Sequence, residues 1–227
     1  VHNMVISSEF SLPISDICIH HQRYLSAWTE RTLIVCDLER LTSSEVQWHG
    51  EYTVNDIKFY FDNQPACLVL YESEFLVIEY GANEILGSFR TLHTPINLIS
   101  LRVNKGDIAH RIGAYKKVAF LQDESNIVVK NLSSRSHVII SHHVAVDWLE
   151  FNNYSDLLLF TDVQLDLHIY YMETQSRIQL LSSCTFVQWV QNTDVIVAQN
   201  GSNLCVWYNV LASDQAMVTP IKGDVEG

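Results

Sequence analysis

The chain has 227 residues, 48% of them hydrophobic, with 14 Lys plus Arg against 26 Asp plus Glu and a net charge of −12. That size and apolar content suffice for a substantial core, and the negative field repels phosphate backbones, so nucleic acid is not expected as a partner. No apolar run approaches the roughly 18 residues of a membrane-spanning helix, and the start lacks the charged, apolar and small-residue order of a signal peptide, which predicts a soluble chain without a transmembrane segment.

In chain order, residues 1–10, "VHNMVISSEF", read as a lone strand. From residue 14 a pattern sets in: an apolar run, a bend, a second run, a tight turn, a third run and a short fourth one. It recurs over about residues 14–50, 54–90, 95–141, 144–182 and 184–222. The runs are short and rich in Val, Ile, Leu, Trp and Tyr, which is strand chemistry. The third strands begin near Leu33, Leu76, Ile127, Leu167 and Leu204, at spacings of 43, 51, 40 and 37 residues. Four strands per repeat of about 40–45 residues is the signature of a propeller blade, since a blade apolar on both faces stays dry only between neighbours. The expected fold is therefore all-β, a WD-repeat-like β-propeller over residues 11–227 with five four-stranded blades. Residues 1–10 would be the outer strand of a preceding blade, and the whole would be part of a larger ring. The last two repeats align Trp148 with Trp189, and Asn200-Gly201 is the expected hairpin turn.

Chemistry-bearing motifs are sparse. There is no phosphate loop, nucleophile elbow or zinc helix, so neither a cofactor nor a small-molecule substrate is expected. The pairs His20-His21 and His142-His143 would point to opposite faces of a strand and so could not share a metal. The carboxylates Asp37, Asp147, Asp162 and Asp166 sit beside strands. They read as turn residues, or, in a rival reading, as acid and base of a secreted or periplasmic propeller hydrolase acting on glycans. The triplets Asn131-Leu-Ser133, Asn153-Tyr-Ser155 and Asn200-Gly-Ser202 match the glycosylation pattern but are also ordinary turn chemistry. Five dispersed cysteines read as buried reduced thiols, and the five tryptophans as packing between blades.

The longest spacing holds an insertion, "RVNKGDIAHRIGAYKK", with Arg102, Lys105, Arg111, Lys116 and Lys117. On an acidic body these five form a basic loop suited to docking an acidic partner surface.

"LVIEYGANEILGSFRT", "NLISLRVN", "VDWLEFN" and "FVQWVQNTDVIVAQNGSNLCVWYNV" followed by "PIKGDV" resemble, in the same order, the second propeller of the intraflagellar transport 172 family of complex B subunits. The likeness is sharpest over residues 75–104 and 185–225 and weak before Val46. It implies a non-enzymatic scaffold that serves train assembly and ciliogenesis, with other intraflagellar transport complex B subunits as partners. It also implies a place in the cilium or flagellum and at the basal body, on the cytoplasmic side. Third strands ending in "VCDLE", "IEYGA", "VKNLS", "IYYME" and "VWYNV" lack the Trp-Asp pair of standard WD repeats, so the blades are expected to be held by packing rather than by an Asp–His network.

Overall fold

The computed structural model describes residues 14–20, 22–29, 31–47, 54, 56–61, 65–79, 84–92, 98–104, 115–191, 193–210 and 216–223. The strand expected at residues 1–10 lies outside the described residues. Among the described residues, twenty strands form five four-stranded sheets, each antiparallel and each built in chain order. Sheet 1 holds β1 (Asp16–His20), β2 (Tyr24–Trp28), β3 (Thr32–Asp37) and β4 (Thr42–Gln47). Sheet 2 holds β5 (Asp56–Phe61), β6 (Pro65–Leu70), β7 (Glu74–Glu79) and β8 (Glu84–Arg90). Sheet 3 holds β9 (Ile99–Asn104), β10 (Tyr115–Leu121), β11 (Asn126–Asn131) and β12 (His137–Ser141). Sheet 4 holds β13 (Val146–Phe151), β14 (Leu157–Asp162), β15 (Leu167–Tyr171) and β16 (Ser176–Leu181). Sheet 5 holds β17 (Cys184–Trp189), β18 (Ile196–Asn200), β19 (Asn203–Trp207) and β20 (Met217–Pro220).

The middle strands do not alternate between apolar and polar because both of their faces are covered. All six residues of β14 are buried, and successive side chains go to different cores. Leu158 and Phe160 join the cluster that packs sheet 3 on sheet 4, whereas Leu157 and Leu159 join the one that packs sheet 4 on sheet 5. In β6, Cys67 and Val69 face sheet 1 while Leu68 and Leu70 face sheet 3. Each of the four clusters thus links two consecutive sheets. The fourth strands are the wet outer margin: β16 and β20 carry mostly exposed residues.

Sheets at the two ends of the run keep an apolar face outside these clusters. On β1, Ile17 and Ile19 are 54% and 62% exposed. On sheet 5, Val197, Val206 and Met217 stand opposite one another, with Met217 exposed.

Local geometry follows from the turn residues. Left-handed residues recur at the close of the β3–β4, β11–β12 and β15–β16 turns: Leu41, Arg135 and Gln175. Asp37 and Asn131 cap the first two of these turns, each accepting two backbone N–H bonds through Oδ1. The β18–β19 hairpin turns at Gly201-Ser202, with Gly201 at φ +53°, one residue later than the sequence suggests, because Asn200 still pairs with Asn203. In β8, Gly87 leaves room for an aromatic ring: a Cβ there would stand 2.5 Å from Phe89.

The pairing registers correct one equivalence. Trp148 pairs with Thr161 and Phe186 with Gln199, each next to a bulge at the strand start, while Phe151 pairs with Leu158 and Trp189 with Ile196. Trp148 therefore corresponds to Phe186, and Trp189 to Phe151. The cysteines are unbridged, and all but Cys18 are buried; Cys18 lies on the exposed first strand, which corrects the expectation for that residue.

Candidate functional site

The rim where the first strand of each blade ends is held by polar ties between blades. Asn152, fully buried after β13, accepts backbone N–H bonds from Asp156 and Leu157 through Oδ1. Its amide nitrogen donates to Asp156 and, across to blade 5, to Asp194 at 2.9 Å. From blade 3, Arg102 donates to the carbonyls of Phe151 (3.0 Å) and Asn152 (3.2 Å), and Lys117 to that of Ser155 (2.8 Å). Tyr115 donates its hydroxyl to the Asn153 carbonyl. Lys116 instead reaches back to blade 2, pairing with the buried Glu79 at 2.5 Å.

These positions locate three of the five basic residues. Arg102, Lys116 and Lys117 lie on β9 and β10 rather than in an insertion, and their cationic groups bond to neighbouring blades; Lys105 and Arg111 lie outside the described residues. A count of charges could not show this, because most of the partners are main-chain carbonyls. Arg102→Glu is accordingly expected to cost about 2–3 kcal/mol in denaturant unfolding, since a carboxylate would face two carbonyls and Glu150. Unchanged stability would return Arg102 to a docking role. Ser155 of the Asn153 triplet is fully buried and Asn131 spends its carbonyl on its own turn, so both triplets serve as turn chemistry.

On the opposite rim, the connection from blade 3 to blade 4 carries His142, whose Nε2 lies 2.8 Å from Asp162 Oδ2 at the end of β14. His168 on β15 approaches the same oxygen at 3.4 Å, and the three ligand-type atoms lie within 4.8 Å of one another. A 2-His-1-carboxylate set invites a cation, but the hydrogen bonds have the wrong polarity. Arg177 Nη1 stands 2.6 Å from His142 Nδ1, and arginine only donates. The His142 proton is therefore on Nε2, donated to Asp162, and no lone pair there is left for a metal. Asp162 Oδ1 meanwhile accepts from the backbone N–H groups of Gln164 and Asp166. Burial alone would push this carboxyl up, but the bonds from His142, Asp166, Gln164 and His168 hold it below the usual range. Burial, aided by His142, lowers His168.

An Asp–His bond is thus present in blade 4, which overturns the expectation of packing alone. Adjacency of histidines does not reveal it; the readable signal is a histidine just before a first strand with an aspartate about 20 residues on. Asp37 is likewise buried, where it holds its turn and Arg23; neither it nor Asp162 is an accessible acid.

Beside that node, on the same rim, blades 4 and 5 leave a cleft of about 210 Å³. Asp147 and Trp148 of β13 face Thr185, Phe186 and Val187 of β17, with Leu165 at the edge and Cys184 and Thr161 at the base. The Thr161 hydroxyl donates to Asp147 Oδ1 at 2.6 Å. The Cys184 thiol is pushed up to about 11, mainly by burial.

Successive four-stranded sheets, each sharing a core with the next, with capped turns and a His–Asp bond across one blade, are the architecture of the WD-repeat-like β-propeller class. Hsv2 from Kluyvelomyces marxianus has the same fold, at a TM-score of 0.55 and 13% identity over 86% of this chain and 63% of that one. Within the class, the chain matches a WD-repeat region of a much larger protein, intraflagellar transport protein 172. It is 38% identical over 226 residues to the Mus musculus homologue, and 39% identical over 226 residues to the Chlamydomonas reinhardtii protein. These matches cover 99% and 98% of this chain but only 13% and 12% of those proteins. The likeness therefore extends through the stretch before Val46 as well. No family model matches the chain.

Proposed function

We propose that the chain is a non-catalytic interaction module, the second propeller of an intraflagellar transport complex B subunit, which helps to assemble trains and build the cilium or flagellum. Its place is the cytoplasmic side of that organelle and the basal body, and its partners are other complex B subunits. The observation that carries this reading is the collinear 38% identity over almost the entire chain to intraflagellar transport protein 172. What supports the absence of a reaction is how the polar groups are used. Asp37, Asp162 and Asn152 hold turns, and Arg102, Lys116 and Lys117 tie blades. Among the described residues, nothing in the geometry favours the glycan hydrolase.

The test is size-exclusion chromatography of the purified chain with each purified complex B subunit. Co-elution with at least one is expected; if none co-elutes although the intact subunit binds them, the interaction role lies elsewhere in that protein. For docking through basic residues, the proposal passes to Lys105 and Arg111. Changing both to Glu should weaken such a contact and reduce its salt dependence.

A further inference from the structure

The cleft between blades 4 and 5 is built by a repeated device. Bulges interrupt the pairing between Val146 and Trp148 in β13 and between Cys184 and Phe186 in β17. Each inserts one residue, Asp147 or Thr185, at the start of an innermost strand, and bulges re-aim the side chains they carry. Both residues line the same space. The Thr161 hydroxyl fixes the orientation of the Asp147 carboxylate, while Trp148, Phe186 and Val187 stay half-buried and supply an apolar wall. The surrounding field is negative: residues 131–227 hold three Lys and Arg against ten Asp and Glu.

A carboxylate above an aromatic and aliphatic wall in an acidic setting matches one kind of side chain, a long apolar stem ending in a cation. We propose that this cleft takes a lysine or arginine side chain presented by an extended segment of a partner protein, the stem against Trp148 and Phe186 and the cation at Asp147. The proposal rests on the interaction-module reading and adds the chemistry of the partner. An anion would meet the Asp147 carboxylate at the mouth. Covalent capture is equally unsuited, because the most nucleophilic group lining the space, the Cys184 thiol, is pushed up to about 11, mainly by burial, and stays protonated at neutral pH.

The experiment uses the intact 227-residue chain and three probes: N-acetyl-lysine methylamide, N-acetyl-arginine methylamide and the uncharged N-acetyl-norleucine methylamide. The Trp148 indole N–H resonance, assigned with Trp148→Phe, is followed in titrations. The two basic probes should shift it saturably, the norleucine probe should not, and Asp147→Asn should weaken binding about tenfold, with affinity falling as salt rises. Phe186→Ala, at a half-buried position, should also weaken it and guards against misfolding of the first variant. Equal binding of norleucine and lysine probes would make the cleft a plain apolar gap and overturn the proposal. So would binding that Asp147→Asn leaves unchanged, or no binding by a folded chain. Co-elution with complex B subunits that survives such a result would leave the broader reading intact and sink only this one.

Discussion

Phe120→Ala is expected to cost about 3–5 kcal/mol and to loosen two sheets while sparing the far end of the chain. Phe120 is buried on β10 in the cluster that packs sheet 2 on sheet 3. Its ring meets Phe75 edge-on at 5.3 Å and Phe89 at 5.5 Å, so truncation loses apolar burial and leaves a cavity against two rings that cannot collapse into it. In a stacked array each blade contacts only its neighbours, which gives the loss an address. Amide hydrogen exchange should speed up across β5–β12 and change little in β17–β20. Phe120→Leu, closer in volume, should cost less. A uniform rise in exchange along the chain would mean that the sheets do not pack in sequence order.

The second large effect belongs to the buried node of blade 4. Asp162→Ala removes the acceptor of two histidines and two backbone N–H groups, and leaving buried donors unmet should cost about 3 kcal/mol at pH 7. A pH signature accompanies it. His168 is lowered from 6.5 in the folded chain, so above that value its proton makes no difference. Below it the unfolded chain takes up a proton that the folded chain resists, and stability falls as pH drops from 6.5 towards the folded value. Asp162, lowered from 3.8, adds a second decline that begins near 3.8. The groups around His168 are Asp162, His142 and Arg177, and His143 packs on His142. Its ring stacks on Phe160 at 5.0 Å, so His168→Phe is the conservative probe. Urea unfolding from pH 8 to pH 5 should show a shallower decline for His168→Phe than for the unaltered chain. Superimposable curves would show that His168 is not held neutral.

The strands were legible because their information is local. Short Val- and Leu-rich runs at a steady third-strand spacing give five sheets without any knowledge of contacts, and those sheets are present. Register was less legible. Aligning Trp148 with Trp189 matched residue identity, but register follows turn lengths and bulges, and the bulges at Asp147 and Thr185 leave no mark in composition. The node of His142, Asp162 and His168 spans 26 residues, so adjacency of ligand-type residues does not mark it. Charge clustering located Arg102, Lys116 and Lys117 but could not reveal their use, because the oxygens they meet belong to other blades. The cleft is an extreme case: no motif encodes it, only the coincidence of two bulges on neighbouring strands.

If this array of blades spends its interior on packing and offers its rims to other proteins, a residue at the cleft must touch a neighbouring subunit. The most direct measurement places a photo-crosslinking amino acid at Leu165, 43% exposed at the edge of the cleft, in the full-length subunit proposed here, assembled in ciliated cells. The expected result is a covalent adduct with another intraflagellar transport complex B subunit that disappears in the Asp147→Asn background. Adducts formed from elsewhere in the same subunit but none from Leu165, or a Leu165 adduct indifferent to Asp147, would contradict it.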